Sequence, residues 1–533
     1  MQNVNTVESV VDVIFSSNRK DCPEPIKAEV RGEIPKWLQG TLLRNGPGIH
    51  KVGDMFYSHW FDGLALLHSF TFQNGEVYYR SKYLKSDTYN SNMEANRIVV
   101  SEFGTMAYPD PCKNIFSKAF TYLSHVVPAF TDNCLINIIK LGDDFYASTE
   151  TNFIRKINPQ NLETLEKVDY MKYVTVNIAT SHPHYDSAGN TINMGTSIGD
   201  KAKTKYLLFK IPPKIPDNSK KSLLKHAEVV CSIPCNRLLS PSYYHSFGMT
   251  ENYIIFIEQP LKLDIVKMAT AYFRGVNWAS CITFHKDDKT WIHIIDKRTK
   301  KHVSGKFYTD ALVTYHHINA YEEDGHIVFD IIAYKDNSLY DMFYLANLKK
   351  DFSQETAMTS VPVCKRFVIP LQCEKAVNEG VNLVRIPMTT AKARKDENGD
   401  IYCEPENTCE GIELPRINYE YNGKKYRYVY ATHVEWRPIP TKIVKFDNIT
   451  KEVLSWTEDM SWPAEPMFIP HPEAIEEDDG VILSSVVSSD PNKAPFLLIL
   501  DAKTFQEMGR ASVNANIHLD LHGIFIPEEN LTK

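Results

Sequence analysis

The feature that most constrains this 533-residue sequence is a recurring local pattern: short runs of β-branched and aromatic residues separated by turn residues. Examples are Tyr206–Ile211, Tyr253–Glu258, Trp291–Asp296 and Ile327–Tyr334, joined by the longer Tyr426–Trp436 and by Thr441–Asp447. Each has the length and side-chain type of a strand. VILSSVV and FLLILDA flank the polar stretch Ser488–Ala494 and read as a hairpin. Chain length alone suggests three or four domains at roughly 150 residues each. No linker or composition shift divides the chain, however, and no short-period repeat of the leucine-rich or WD kind is evident. These runs therefore point to one large β unit, a barrel or a propeller. The stretches Ile211–Lys225 and Ala391–Asp400 read as exposed loops.

Composition narrows the function classes. Lys and Arg number 59 against 66 Asp and Glu, a net charge of −7, which provides no basic surface for nucleic acid. The aromatic load is high, with 28 Tyr, 26 Phe and 7 Trp beside 18 His, which fits an apolar ligand or a metal. The ten cysteines are scattered, and only Cys231 and Cys235 lie close together, so neither a disulfide framework nor a zinc clip is expected. The N-terminus lacks the pattern of a secretory signal, and no stretch reaches the roughly 18–20 apolar residues needed to span a bilayer. A soluble protein of a reducing compartment is expected, and the sequons at Asn448 and Asn530 carry little weight.

Two segments read as helices. Asn114–Val127 sets Phe116, Phe120, Leu123 and Val127 on one stripe and stops at Pro128. That stripe suits a helix packed on the body, and equally an interfacial helix dipping into a membrane beside Lys113 and Lys118. Leu263–Arg274, closed by Gly275, is the second.

Phosphate loops, dinucleotide fingerprints, nucleophile elbows and HExxH helices are all absent. Histidine remains. It stands at the edge of apolar runs in SHPHYD (Ser181–Asp186), YYHSFG (Tyr243–Gly248), YHHINAYEE (Tyr315–Glu323) and HLDLHG (His518–Gly523). A histidine in such a place is most often a satisfied core or surface residue. These four settings meet at a metal only if the fold brings distant strand ends to one axis.

The same stretches resemble the carotenoid cleavage oxygenase family, and the resemblance runs nearly end to end. It includes LLRNGPG (Leu42–Gly48), WFDGLALLHSF (Trp60–Phe70), SEFGTMAYPDPCKNIF (Ser101–Phe116) and STETNFIRKINP (Ser148–Pro159). It continues through ELPRINY (Glu413–Tyr419), WPAEP (Trp462–Pro466) and EEDDGVILS (Glu476–Ser484). Tyr79–Thr105 and ATSHPHYD most resemble the branch that cleaves β-carotene at its central 15,15′ double bond with O₂.

That resemblance implies an all-β, seven-bladed propeller capped by loops and helices, residues 1–533 forming one domain. It implies Fe(II) held by His182, His245, His316 and His522, with Glu150, Glu413 and Glu465 orienting the imidazoles. The family usually has Phe before the third ligand, where this chain has Tyr315. Tyr243, Tyr334 and Trp462 match positions linked to stabilising positive charge on the polyene, and Phe103 and Thr149 fall in motifs lining the substrate tunnel. Cys112, Phe116, Phe120 and Leu123 match a membrane-facing patch. The implied setting is the cytosol with transient membrane contact, a carotenoid and O₂ as partners, and no obligate protein partner. Related activities in the family are eccentric cleavage, cleavage of xanthophylls or apocarotenoids, and retinyl-ester isomerohydrolysis. Without the family match, a Glu at any of these positions reads as a solvated carboxylate, and Glu476–Asp479 is read as a solvated turn.

Overall fold

The structure, a computed structural model, describes residues 14–15, 20–107, 130–199, 204–215, 222–237, 239–348, 360–373, 379–434, 439–490 and 492–531. Antiparallel sheets dominate, and the helices among the described residues are short. The chain is an all-β propeller.

Its sheets of five, four, five, seven, four, four and six strands follow one another around a ring. Two further ribbons have two strands each. Neighbouring sheets touch through their inner strands: Gly248–Met249 lies against Val313–Glu323, which lies against Ile412–Arg416. Met467–Pro470 lies against His522–Pro527, which reaches Asn137–Leu141. The asparagine side chain of Asn137 donates to the Ser181 carbonyl at 2.7 Å, tying the second sheet to the third.

Both ends of the chain close this ring. His522–Pro527 pairs antiparallel with Gly40–Ile49, placing His522 opposite Asn45. Glu29–Gly32 pairs with Glu507–Ser512 in the last sheet. Closure ties the first and last sheets together, while the outer strands keep the short, protected edges of a propeller. The strands around the axis are buried on both faces, as in the all-buried Gly40–Ile49, so their sequences read as continuous apolar or small-residue runs rather than strict alternation.

Two bulges shape the axis. Register shifts between Thr314 and His317, and again between Glu413 and Arg416. Leu414, at the second, has a left-handed backbone with φ of 51°, unusual for a residue carrying a Cβ. An extra residue in one strand bends it and re-aims its side chains, and both bulges adjoin residues that face the axis.

Several sequence expectations change here. The supposed loop Ala391–Asp400 contains a strand, Lys392–Lys395, paired with Ile401–Glu404, because alternate side chains such as Ala393 and Cys403 are buried. The helix expected over Leu263–Arg274 starts later: Leu261–Leu263 is a strand, and Asp264 caps the short helix Ile265–Ala269 by accepting from the Lys267 amide at 2.8 Å. A second short helix, Ala271–Arg274, follows. Asp478 is not solvated; it is buried against Lys445 at 2.6 Å, whereas Glu476 and Asp479 meet Lys503 at the surface. The Asn114–Val127 segment, with Cys112, Phe116, Phe120 and Leu123, lies outside the described residues. The Val481–Val487 and Phe496–Asp501 hairpin pairs as expected.

Ring closure makes a clear demand on Gly523. A Cβ there would come within 2.1 Å of the Leu43 carbonyl oxygen and 2.9 Å of the Arg44 Cα, both backbone atoms that cannot swing aside. Gly523→Val is expected to lower stability by about 1–3 kcal/mol or more, the usual cost of overpacking. Urea unfolding measures it, and an unchanged midpoint would contradict this view of the closure.

Candidate metal centre and its cavity

His182, His245, His316 and His522 come from four different parts of the ring, and one nitrogen from each lies within 4.8 Å of the others. The Nε2 atoms of His182 and His245 are 2.8 Å apart. His184, His317 and His518, the neighbours of these residues in sequence, are not in the cluster. His184 instead donates to the Phe247 carbonyl at 2.9 Å, and His317 lies 3.1 Å from the Ser246 hydroxyl.

Three of the imidazoles are pinned from behind. His245 Nδ1 is 2.5 Å from Glu150 Oε1, His316 Nδ1 is 2.7 Å from Glu413 Oε2, and His522 Nδ1 is 2.8 Å from Glu465 Oε1. A carboxylate accepts a hydrogen bond from Nδ1–H and so fixes the tautomer that leaves the Nε2 lone pair facing inward. His316 Nε2 is buried with no hydrogen-bond partner. An orphaned acceptor of this kind is costly unless something else fills it, and a cation fits. Burial and the other three histidines push the His182 imidazole well below its ordinary pKa, and burial brings His522 down to about 4. Both rings are thus neutral at ordinary pH, as metal ligation requires.

The three glutamates are themselves held. Glu150 accepts from the Tyr243 hydroxyl at 2.8 Å, and Glu413 from the Tyr334 hydroxyl at 2.7 Å and the Leu414 amide at 2.8 Å. Glu465 is bound instead by guanidinium groups, Arg44 at 2.7 Å and Arg416 at 2.9 Å. Burial would raise the Glu465 carboxyl, but Arg416, His522 and Arg44 outweigh it and hold it well below the usual range. Arg44 is buried and also reaches Asp520 at 2.5 Å, and Asp520 lies 2.9 Å from His68 Nε2. Arg44, Arg416 and Asp520 stand inside the matched or histidine-bearing motifs, yet nothing in a linear reading singles out side chains that meet only after the ring closes.

An apolar cavity leads to this cluster. Phe103, Thr149, Tyr243 and Tyr334 line it, and it reaches His245, His316 and His522. Trp60, Phe61, Phe130, Tyr315, Tyr340 and Phe343 add an aromatic wall that the sequence reading did not assign. Trp462 does not line this cavity; it sits in the strand Ser461–Pro463, paired with Val487. A second, more polar cavity reaches His182, His316 and His522, with Tyr185, Tyr419 and Arg416 in its wall. His245 faces the first cavity and His182 the second, so the cluster separates the two.

Comparison with known proteins decides what such a centre belongs to. The family model described as retinal pigment epithelial membrane protein matches residues 15–527. The chain is 72% identical to the β,β-carotene 15,15′-dioxygenase of Gallus gallus over 98% of its own length and 99% of that protein. This chain is a member of the carotenoid oxygenase family. Identity to the Homo sapiens β,β-carotene 15,15′-dioxygenase is 67%, covering 97% of this chain and 95% of that one. The Homo sapiens mitochondrial carotenoid-cleaving dioxygenase is 42% identical, covering 95% and 89% of the two chains. Among solved structures, a Synechocystis apocarotenoid oxygenase variant superposes with a TM-score of 0.75 at 22% identity, over 98% of this chain and 99% of that one. At that identity the likeness speaks for the fold.

In this carotenoid oxygenase, replacing His245 by Ala removes one imidazole from the set. The variant is expected to lose bound metal while keeping its fold, since His245 faces a cavity. Metal analysis after gel filtration checks this, and full occupancy in the variant would refute the assignment.

Proposed function

We propose that this chain is a non-haem Fe(II) dioxygenase that cleaves β-carotene at its central 15,15′ double bond with O₂, giving two molecules of all-trans-retinal and so forming vitamin A aldehyde. The observation that carries the reading is the near-complete match to two vertebrate enzymes of that name, at 72% and 67% identity, in a chain whose four histidines converge. His182, His245, His316 and His522 would hold the iron. Four neutral imidazoles leave it its full double positive charge, unlike a site that includes a carboxylate. Fe(II) held there would bind and activate O₂, the electrons that reduce O₂ coming from the double bond as it is cleaved to two aldehydes.

The residues of the chain do the rest. Phe103, Thr149 and the aromatic wall lay an apolar polyene along the cavity and exclude water from it. Attack on the polyene develops positive charge, which the faces of Tyr243 and Tyr334 stabilise. Trp462, away from the cavity lining, is left with a packing role. Glu150, Glu413 and Glu465 keep three ligand rings in one orientation and tautomer, so the centre needs no rearrangement when substrate arrives.

The reading takes residues 1–533 as one domain and the successive larger sheets as seven blades, with the short helices around Leu339 and Met268 belonging to a cap. It also takes the enzyme as cytosolic, touching a membrane surface transiently to collect substrate. No helix among the described residues is long and apolar enough to cross a membrane.

Iron-loaded protein is expected to form retinal from β-carotene in air and none without O₂. Isomerised retinol from retinyl ester under anaerobic conditions, with no carotenoid cleavage, would sink the proposal. Glu413→Ala is expected to reduce turnover by roughly 10- to 100-fold, the usual effect of losing a ligand's carboxylate partner. Normal turnover per folded molecule in that variant, alongside a global loss of stability, would make Glu413 structural instead.

A further inference from the structure

We propose that Tyr243 and Tyr334 are positioning residues of the metal centre: their hydroxyls anchor the glutamates that orient two of the ligand imidazoles. The proposal rests on reading the four-histidine cluster as an iron site. It adds a second role to tyrosines whose ring faces alone were expected to matter.

The two places share one arrangement, except that Glu413 Oε2 also accepts from the Leu414 amide at 2.8 Å. A carboxylate has two oxygens, and here each has its own task. Glu150 receives His245 Nδ1 on Oε1 at 2.5 Å and the Tyr243 hydroxyl on Oε2 at 2.8 Å. Glu413 receives His316 Nδ1 on Oε2 at 2.7 Å and the Tyr334 hydroxyl on Oε1 at 2.7 Å. With both oxygens engaged on opposite sides, neither carboxylate can turn about its own bond without breaking one contact. Removal of the phenol would free one oxygen and leave the imidazole held by a carboxylate with a rotational choice. Orientation of a metal ligand depends on this kind of support, commonly worth 10- to 100-fold in metal affinity.

The third glutamate shows why the phenols are a distinct choice. Glu465 is fixed by Arg44, which is buried, and by Arg416 from the wall of the second cavity, two cations that draw charge from the carboxylate, and neither lines the apolar cavity. A neutral phenol fixes position while leaving the carboxylate its full charge to share with the imidazole. Tyr243 and Tyr334 also line the apolar cavity, so the residues that hold two metal ligands are themselves part of the surface against which a polyene packs. Tyr315 and Tyr340 link them through edge and tilted ring contacts: Tyr315 lies 5.5 Å from Tyr334 and 5.2 Å from Tyr340, which in turn meets Tyr243 at 5.9 Å. The wall therefore has little freedom to shift one phenol without the other.

The variants Tyr243→Phe and Tyr334→Phe keep the ring and remove only the hydroxyl. Full-length protein loaded with Fe(II) is mixed with a strong chelator and the rate of iron loss followed. The same proteins loaded with Co(II) are compared by their visible absorption bands, which report the ligand field. Each variant is expected to lose iron about 10- to 100-fold faster than the parent. The Co(II) bands should shift, and KM for β-carotene should stay the same. Unchanged iron loss and unchanged bands in both variants, with kcat reduced, would overturn the proposal and assign the hydroxyls to the substrate. Parent protein that retains neither ion would instead overturn the metal reading beneath it. Thermal melting is followed in parallel, and because the two tyrosines are tested separately, a variant that fails to fold leaves the other decisive.

Discussion

Four imidazoles can share one small volume only if something outside that volume dictates how each ring is turned. Three carboxylates do this here, at Glu150, Glu413 and Glu465, and most of the fold around the axis can be understood as support for them. Each accepts a hydrogen bond from Nδ1–H and thereby aims the Nε2 lone pair inward. Among the described residues His182 has no carboxylate partner of this kind, and it faces the more polar cavity. The four histidines of the cluster are thus chemically unequal. Two rest on phenol-anchored carboxylates, one on a carboxylate held by two guanidiniums, and one on none.

Closure of the ring is the mechanical condition for this arrangement. His522 is brought to the axis by a strand that pairs with Gly40–Ile49, and the Arg44 that braces Glu465 belongs to that N-terminal strand. The two ends of the chain therefore bring together one histidine of the cluster and the support of its carboxylate. Buried ion pairs such as Arg44 with Glu465 and Asp520 contribute little net stability, because desolvation offsets most of their attraction. Breaking one by removing a single partner is a different matter, costing about 3–5 kcal/mol when a charge is left buried alone. Their value lies in specifying one geometry.

Much of this was legible in the sequence, though unevenly. Strand-rich runs such as Tyr253–Glu258 and Trp291–Asp296 declared a β protein because β-branched and aromatic side chains fit a pleated, buried surface. The choice of His182 over His184, and of His316 over His317, came from family motifs; periodicity could not have made it, since a bulge at Thr314–His317 breaks the alternation at that point. Local polarity misled in two places. Lys392–Lys395 looks like a charged loop, yet its Ala393 is buried opposite the buried Cys403. Asp478 looks solvated, yet it meets Lys445 in the interior. Arg44, Asp520 and the wall residues Tyr315 and Tyr340 were out of reach because their partners lie far away in sequence. The link from Tyr243 to Glu150 spans 93 residues. Aromatic and histidine surplus, unassigned by composition, divides between blade packing, a cavity wall and the metal cluster.

X-ray absorption at the iron edge of Fe(II)-loaded protein tests the central claim most directly, because it reports the atoms around the metal without reference to turnover. The account predicts four imidazole nitrogens and no protein carboxylate in the coordination sphere. A carboxylate bound to iron, or a sphere with fewer than four imidazoles, would contradict it.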